Sequence, residues 1–145
     1  MASINKCITI NAPVEQIQIF LNDIKQFPLW YRGIDELQPE LGFPTRVGTA
    51  SAYTYTVAGM KMTGKLTVVK EVPLAERHIK VDGMITGLQK WVLTSERDGT
   101  RVCLLSEYEI SRALLEKLPD RLFVEQLSEK YAEESLAVMK SRIEA

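Results

Sequence analysis

The stretch that decides the fold runs from residue 10 to residue 34 and reads INAPVEQIQIFLNDIKQFPLWYRGI. Just before it, residues 3 to 10 alternate between apolar and polar side chains, which predicts a half-buried strand. Within it, apolar residues recur at helical spacing after Pro13, a residue that suits the first turn of a helix. Pro28 interrupts this pattern, so we expect only a short second helical piece around residues 24 to 31.

The rest of the chain divides into a long β-rich part and a C-terminal helix. Residues 34 to 111 contain short β-favouring runs separated by Gly, Pro and Asp-Gly signals, without a helical period. From about Pro119 a helical pattern returns, and we expect Val124, Leu127, Tyr131 and Val138 on one apolar stripe. One antiparallel sheet must then cover one long helix. The sequence therefore predicts an α+β fold in a single domain over residues 1–145.

Composition excludes several classes of protein. The 145 residues include 18 Lys+Arg and 19 Asp+Glu, which gives a net charge of −1, and 46% of them are hydrophobic. A nucleic-acid-binding protein would carry a basic excess, so we expect no nucleic-acid partner. No apolar run has the length of a membrane span, and the first residues lack a signal-peptide core. We therefore expect a cytoplasmic protein without membrane insertion, and the sequence leaves open a homodimer.

Residues 10–34 resemble the start of the SRPBCC superfamily of START-like, helix-grip proteins, most closely its polyketide cyclase/dehydrase-like branch. The features that match are a strand ending at Ala12-Pro13, an apolar helix, Asp23, Phe27-Pro28 and Trp30. The resemblance implies a curved seven-stranded antiparallel sheet wrapped around the C-terminal helix, with a cavity for an apolar small molecule. Because the superfamily includes carriers, hormone-binding proteins and enzymes, the fold alone does not choose the activity.

Hairpin pairing predicts which side chains line that cavity. We predict turns at Gly59-Met60, Ile85-Thr86-Gly87 and Asp98-Gly99, the last of which would place Leu93 opposite Leu104. Paired residues share a face of the sheet and successive residues alternate between faces, so the inner face is apolar with a few hydroxyl groups. Simple core packing is an alternative that the sequence leaves open. The predicted ligand-binding residues are Trp30, Tyr53, Tyr55, Met62, Leu66, Val81, Trp91, Leu93, Ser106, Tyr108, Phe123, Leu127 and Tyr131.

A second apolar group is expected at one end of the sheet. Alternate turns of a meander lie at the same end, so the turns near residues 59 and 85 share an end with the segment after residue 110. Two alternatives stay open, namely loops that fold onto the C-terminal helix and onto each other, and a contact with a second subunit. The predicted cavity mouth consists of Met60, Met84, Leu114, Leu115 and Leu118.

Catalytic and metal-binding patterns are scarce. The single histidine, His78, is expected on the outward row of its strand, and one histidine with two distant cysteines offers no metal-ligand spacing. Cys7 and Cys103 become neighbours if the first and last strands pair, as the resemblance implies, but surface thiols are favoured over a disulfide in the cytosol. We therefore predict no cofactor, no metal and no catalytic residue.

Three functions fit these expectations. The favoured one is binding, transport or sensing of a small hydrophobic ligand such as a lipid, isoprenoid, polyketide or aromatic metabolite. The second is a polyketide cyclase or dehydratase-type enzyme that uses the same cavity, as the resemblance implies. The third is a protein-interaction module whose core is filled by its own side chains. Binding is favoured because the predicted inner face carries neither a histidine nor a carboxylate.

Overall fold

The computed structural model describes residues 1–40, 47–117 and 120–145. Strand β1 (Ala2–Ile10) is followed by helix α1 (Val14–Asn22), a 3₁₀ turn (Ile24–Gln26) and the short helix α2 (Phe27–Trp30). Pro28 lies in the first turn of α2, where the N–H group that proline lacks has no helical partner to lose. The predicted strand and the two helical pieces after it are therefore present.

Six further strands complete one sheet. They are β2 (Ile34–Pro39), β3 (Ala50–Val57), β4 (Met60–Val72), β5 (Glu76–Gly83), β6 (Ile85–Glu96) and β7 (Gly99–Ile110). The order across the sheet is β1-β7-β6-β5-β4-β3-β2, and all neighbouring strands are antiparallel. This arrangement confirms the predicted α+β fold, in which a curved seven-stranded sheet wraps around the C-terminal helix.

Helix α4 (Arg121–Glu144) lies against the inner face of the sheet and follows the short helix α3 (Arg112–Leu115). The Asp120 side chain begins α4 by accepting a hydrogen bond from the Phe123 N–H group at 3.2 Å. The expected place of Val138 on the buried stripe is wrong, because this side chain is 37% exposed. Small side chains also lie where α4 closely approaches the sheet, and a search for apolar periodicity does not detect them. The buried residues of α4 are Val124, Ser128, Ala132, Ser135, Leu136, Met139 and Ile143.

The hairpin between β6 and β7 differs in register from the prediction by two residues. Leu93 lies opposite Val102 instead of Leu104, because the turn consists of Arg97-Asp98. Since side chains alternate with a period of two, a shift by an even number of residues leaves the same side chains on the inner face. The predicted faces of β6 and β7 are therefore correct although the pairing is wrong.

The other two hairpins show the same kind of shift. The turn between β3 and β4 consists of Ala58-Gly59. Their φ angles are 52° and 76°, which is the left-handed conformation that this type of two-residue hairpin turn requires at both positions. Tyr53 therefore lies opposite Gly64. The loop predicted at residues 85 to 87 is wrong, because these residues belong to β6 and Gly87 pairs with Val81.

Cys7 and Cys103 lie directly opposite each other on β1 and β7 and form a disulfide. The expectation of two free thiols is therefore wrong, whereas the pairing of the first and last strands that the resemblance implies is present. The cross-strand register brings the two Cα atoms to 4.1 Å.

In the part of the chain that the structure describes, no helix is long and apolar enough to cross a membrane.

Two apolar clusters form the interior. The first joins α1, α2 and α4 to β1, β6 and β7 and includes Trp30 and Trp91. The second joins β3 and β4 to α3 and the start of α4 and includes Met62, Leu114 and Val124. The sheet thus packs against two separate groups of helical side chains, and the space where these groups meet is the candidate site.

Candidate functional site

A cavity of about 90 Å³ lies between the inner face of the sheet and helix α4, and we call it the tyrosine cavity. Tyr31 and Tyr108 in its wall belong to the first cluster, and Tyr53 and Tyr55 belong to the second. Its wall contains no charged side chain among the described residues. The other lining residues are Ile4, Phe27, Ile34, Leu66, Val81, Ile85, Gln89, Ser106 and Ser128.

The positions of the tyrosines follow from the strand pattern. Tyr53 and Tyr55 are two residues apart in β3, so both side chains lie on the inner face. A Cβ atom at Gly64, directly opposite Tyr53, would lie 2.9 Å from the Tyr53 hydroxyl oxygen. Because glycine has no Cβ atom, the Tyr53 side chain has room at this position. Tyr108 also lies opposite a glycine, Gly87 of β6.

The tyrosine hydroxyl groups differ in their hydrogen bonds. The Tyr55 hydroxyl donates to Ser128 Oγ at 3.2 Å. Tyr53 and Tyr108 are only 5% and 6% exposed, and neither hydroxyl makes a hydrogen bond of acceptable geometry within the described residues. A buried polar group without a partner costs about 1–3 kcal/mol. Oxygen atoms of a bound molecule would remove this cost.

Burial moves the pKa of these hydroxyl groups further above neutral pH. It raises the pKa of Tyr53 to about 12, and it also raises the pKa of Tyr31 and of Tyr55. Burial raises the pKa of Tyr108 as well, and the nearby Ser128 hydroxyl opposes part of that rise. The tyrosines therefore remain protonated at neutral pH, where they are hydrogen-bond donors and not bases.

Six of the predicted ligand-binding residues line the tyrosine cavity, namely Tyr53, Tyr55, Leu66, Val81, Ser106 and Tyr108. Four others, Trp30, Met62, Trp91 and Leu93, are buried in the surrounding core. Leu127 and Tyr131 pack against the second cluster without lining the cavity. The inward position expected for Phe123 is wrong, because this side chain is 51% exposed and precedes the first buried residue of α4.

Sequence reasoning missed several lining residues. Ile4 lies on the inward row of β1, and Gln89 shares the inward row of β6 with Trp91, so strand alternation could have found both. Ser128 lies one helical turn after Val124 on the buried side of α4. The remaining missed residues are Phe27, Tyr31, Ile34 and Ile85.

The four predicted mouth residues that the structure describes lie at one end of the sheet, but the group is partly closed. The Ser111 N–H group donates to the Met84 carbonyl oxygen at 2.9 Å, which ties the loop after β5 to the segment after β7. Leu114 is buried in the second cluster and Met60 packs against it, whereas Met84 is 40% exposed. Leu115 is half-buried, and Leu118 lies outside the described residues.

A buried charge lies on the inward row of β5, where the sequence predicted an almost uncharged face. Arg77 is 6% exposed, and its Nε donates to Glu71 Oε2 at 2.7 Å. Its other nitrogens donate to the Leu21 carbonyl oxygen and to Asn22 Oδ1. Arg77 also borders a second, smaller cavity of about 40 Å³, the arginine cavity. The interior therefore contains an apolar site and, beside it, a neutralised ion pair.

His78 lies on the outward row, as predicted, but its side chain is only 14% exposed. Its Nε2 lies 3.0 Å from Glu76 Oε1, and this hydrogen bond, together with nearby Lys70, lowers the pKa of Glu76. Over residues 1–40, 47–117 and 120–145, no group of three His, Cys, Asp or Glu side chains is placed to hold a metal ion.

A curved antiparallel sheet around one long C-terminal helix, with an apolar cavity between them, defines the helix-grip class of proteins. Residues 1–144 match the family described as polyketide cyclase / dehydrase and lipid transport, and the chain belongs to this family. No curated protein sequence matches the chain significantly.

Solved structures share the fold at low sequence identity. The aromatase/cyclase Zhui from Streptomyces has a TM-score of 0.77 at 14% identity, covering 98% of this chain and 93% of that chain. A Thermus thermophilus protein has a TM-score of 0.75 at 21% identity, covering 97% and 96%. A major latex-like protein from Panax ginseng has a TM-score of 0.73 at 13% identity, covering 97% and 95%. At these identities the similarity concerns the fold alone.

Proposed function

We propose that this protein binds a small, uncharged, mainly apolar molecule in the tyrosine cavity. The observation that carries the proposal is an apolar wall that contains two buried hydroxyl groups, those of Tyr53 and Tyr108, that make no hydrogen bond of acceptable geometry within the described residues. Such a wall with a few polar groups is typical of small-molecule sites. The family description, which names both cyclase/dehydrase activity and lipid transport, supports the same class of ligand.

The wall also sets the charge and size of the ligand. An ion buried among these uncharged side chains would lack a counter-charge, so a neutral molecule is favoured. A volume of about 90 Å³ suits a compact molecule, and a longer lipid, isoprenoid or polyketide requires side chains to move. The ligand in the present geometry is therefore compact, uncharged and oxygen-bearing.

Removing either of these two hydroxyl groups tests this assignment. We expect Tyr53→Phe and Tyr108→Phe each to weaken cyclopentanone binding roughly five- to tenfold, because each loses one hydrogen bond to the ketone oxygen. Methylenecyclopentane has the same shape without the oxygen, and its affinity should not change. NMR titration measures both dissociation constants.

Tyr55→Phe is the matched control, because the Tyr55 hydroxyl already donates to Ser128. We expect it to change cyclopentanone affinity less than roughly threefold, which corresponds to less than about 0.7 kcal/mol. Equal losses for ketone and alkene, or for all three tyrosine variants, would contradict the role of the two hydroxyl groups.

Native mass spectrometry of the protein from its own host tests occupancy directly. A bound ligand gives a mass increment that organic solvent removes. The alternative interaction module with a filled core predicts no such increment and is at odds with the cavity of about 90 Å³. An unliganded mass in every preparation, together with no binding of cyclopentanone, would contradict the proposed function.

Met84 tests the proposed entrance. Replacing the exposed Met84 by serine should slow the uptake of methylenecyclopentane several-fold, with little change in melting temperature, because its apolar side chain lies at the predicted mouth. Val138→Ser is the control, since Val138 is 37% exposed on α4, close to the 40% of Met84. NMR exchange measurements give both rates, and equal rates in the two variants would place the entrance elsewhere.

A second candidate function is cyclase or dehydratase-type catalysis in the same cavity. The family description favours it, and the neutral tyrosine hydroxyls can donate hydrogen bonds to a carbonyl oxygen as charge develops there. No histidine or carboxylate lines the described wall, so this chemistry rests on the tyrosines alone. Tyr55→Phe with Tyr108→Phe should abolish turnover of a linear poly-β-ketone if the protein is an enzyme, and no turnover by the wild type removes this candidate.

A further inference from the structure

The outer face of strands β1, β7 and β6 carries a groove of about 340 Å³. The outward face of a single antiparallel sheet is ordinarily polar. Leu88 and Leu105 nevertheless lie on this face, each half-buried, and neither belongs to one of the two apolar clusters of the interior. The outward residues that line the groove form what we call the outer patch, namely Ser3, Asn5, Leu88, Lys90, Leu105 and Glu107.

The two charges of the outer patch have no ion-pair partner. Within the described residues, neither Lys90 nor Glu107 forms a salt bridge, and Glu107 makes no other polar contact. The nearby Glu76 carboxylate attracts Lys90, but it is already bonded to His78 at 3.0 Å and lies 3.8 Å from Lys70. A lysine and a glutamate therefore lie on one small surface, beside two leucines, without neutralising each other.

The outer patch has the pattern that a two-fold symmetric contact requires. Lys90 lies opposite Leu105, and Leu88 lies opposite Glu107, so the leucines occupy one diagonal of a rectangle and the charges occupy the other. In a face-to-face dimer, the symmetry axis runs between the two sheets, and each residue faces the position at equal distance on the other side of the axis. An axis close to the leucine diagonal places Lys90 over Glu107 of the second copy, and Glu107 over its Lys90.

The disulfide between Cys7 and Cys103 borders the outer patch. Cys103 lies two residues before Leu105 on β7, and Cys7 lies two residues after Asn5 on β1, so the bond is on the same face of the sheet. Val92 lies opposite Cys103 and extends the apolar surface. Because the bond links β1 to β7 covalently, the patch is pre-formed, and association costs little ordering.

We infer that the outer patch is the contact between two copies of this chain in a two-fold symmetric dimer. In this dimer Lys90 of each copy pairs with Glu107 of the other, around a centre formed by Leu88 and Leu105. The patch covers only three strands, so the contact lies at the small end of specific interfaces, and the dimer is weak and reversible. It goes beyond the proposed function, because the tyrosine cavity lies on the other face of the sheet.

Charge reversal tests the pairing. Lys90→Glu and Glu107→Lys each bring like charges together at both pairs of the dimer, so each should weaken dimerisation at least roughly tenfold. Leu105→Ser removes apolar surface without changing the charge, and it should weaken the dimer several-fold. Sedimentation equilibrium over a concentration series measures the dissociation constant, which we expect in the micromolar range for the wild type.

A mixture of the two charge variants gives the sharpest measurement. In a heterodimer of Lys90→Glu with Glu107→Lys, the two introduced residues face each other and the two unchanged residues face each other, so both pairs again join opposite charges. We therefore expect an equimolar mixture to dimerise about as tightly as the wild type, although neither variant does so alone. No gain on mixing would overturn the proposed pairing.

Two further charge reversals are matched controls. Lys61→Glu and Glu36→Lys make the same changes in charge at exposed, outward positions of β4 and β2, outside the outer patch. Neither should change the dissociation constant of the dimer appreciably. Controls that weaken the dimer as much as Lys90→Glu and Glu107→Lys would overturn the inference, since net charge would then be the cause.

The remaining outcomes separate a dimer from other uses of this face. A wild type that stays monomeric up to millimolar concentration, or a dimer that both reversals leave intact, would overturn the inference and leave the outer patch to a different partner. Melting temperatures verify folding, and if a reversal does not fold, Lys90→Gln and Glu107→Gln must each weaken the dimer by a smaller factor. Cyclopentanone binding should be the same in all folded variants, so its failure would contradict the proposed function without affecting the dimer.

Discussion

Replacing Gly33 by alanine should lower the free energy of unfolding by about 3 kcal/mol or more. Gly33 has φ of +96°, a conformation that side chains disfavour. The added Cβ would lie 2.5 Å from Cε1 of Tyr55 and 3.0 Å from Cδ2 of Tyr131. Because Tyr55 is part of the cavity wall, cyclopentanone affinity should fall as well. Denaturant unfolding measures the stability change.

Gly48 offers a matched control for this substitution. Its φ is +94°, almost the same as that of Gly33, but a Cβ placed there meets no atom of the described residues within 4 Å. Gly48→Ala should therefore lower the free energy of unfolding only by the cost of the left-handed backbone conformation, about 1–2 kcal/mol. It should leave ligand binding unchanged. The difference between the two variants isolates the contact with Tyr55. Equal costs would show that the rings move aside without penalty.

The sensitivity of Gly33 follows from its place between three parts of the fold. Its carbonyl oxygen accepts a hydrogen bond from the Thr56 N–H group of β3 at 2.8 Å. The preceding Arg32 N–H group donates to Ser135 Oγ of α4 at 2.8 Å. The turn after α2 is thus fixed to the sheet and to the helix at once, so an added methyl group at Gly33 cannot be accommodated by moving the backbone.

Sequence reasoning predicted the fold and the faces of the strands because both depend on order and alternation. A strand, two helical pieces, a β meander and a long helix admit few arrangements with one covered sheet. The errors in hairpin register were all even, so Tyr53, Tyr55 and Tyr108 stayed on the inner face. The outline of the cavity wall was therefore predictable without a correct pairing.

The turn predicted at Asp98-Gly99 shows why the hairpin register was harder to predict than the faces of the strands. Gly99 is not a turn residue but the first residue of β7, where a Cβ would lie 2.1 Å from the Ile10 carbonyl oxygen. Thr100, next along the strand, is fully buried and donates to the Ala12 carbonyl oxygen at 2.8 Å. The glycine is thus required by the close approach of β1, a contact between distant parts of the chain that local turn signals do not contain.

Arg77 shows a different limit of sequence reasoning. Alternation with Ile79 and Val81 places Arg77 on the inner face, yet charged residues are rarely buried without a partner. Its partners come from β4 and from the end of α1, so the pairing becomes visible only when these elements are assembled. The polar wall of the arginine cavity could not have been found from apolar patterns.

The second large effect should follow from Arg77→Met, which removes the positive charge and leaves Glu71 buried without it. The two side chains are only 7% and 13% exposed and their closest atoms lie 2.7 Å apart. Breaking a buried ion pair from one side costs about 3–5 kcal/mol, because the remaining charge is still desolvated. Denaturant unfolding should show this loss.

The loss of stability in Arg77→Met should depend on Glu71, and a double-mutant cycle tests this dependence. Glu71→Gln removes the orphaned charge, so Arg77→Met combined with Glu71→Gln should be less destabilised than the sum of the two single variants. Arg121→Met is the control, since the side chains of the Arg121–Glu125 ion pair are 55% and 25% exposed. We expect Arg121→Met to lower the free energy of unfolding by less than about 1 kcal/mol. Additive losses in the cycle would mean that Arg77 stabilises the fold through its packing and its bonds to α1. A coupling of several kcal/mol would mean that the ion pair itself holds β4 and β5 together beside the arginine cavity.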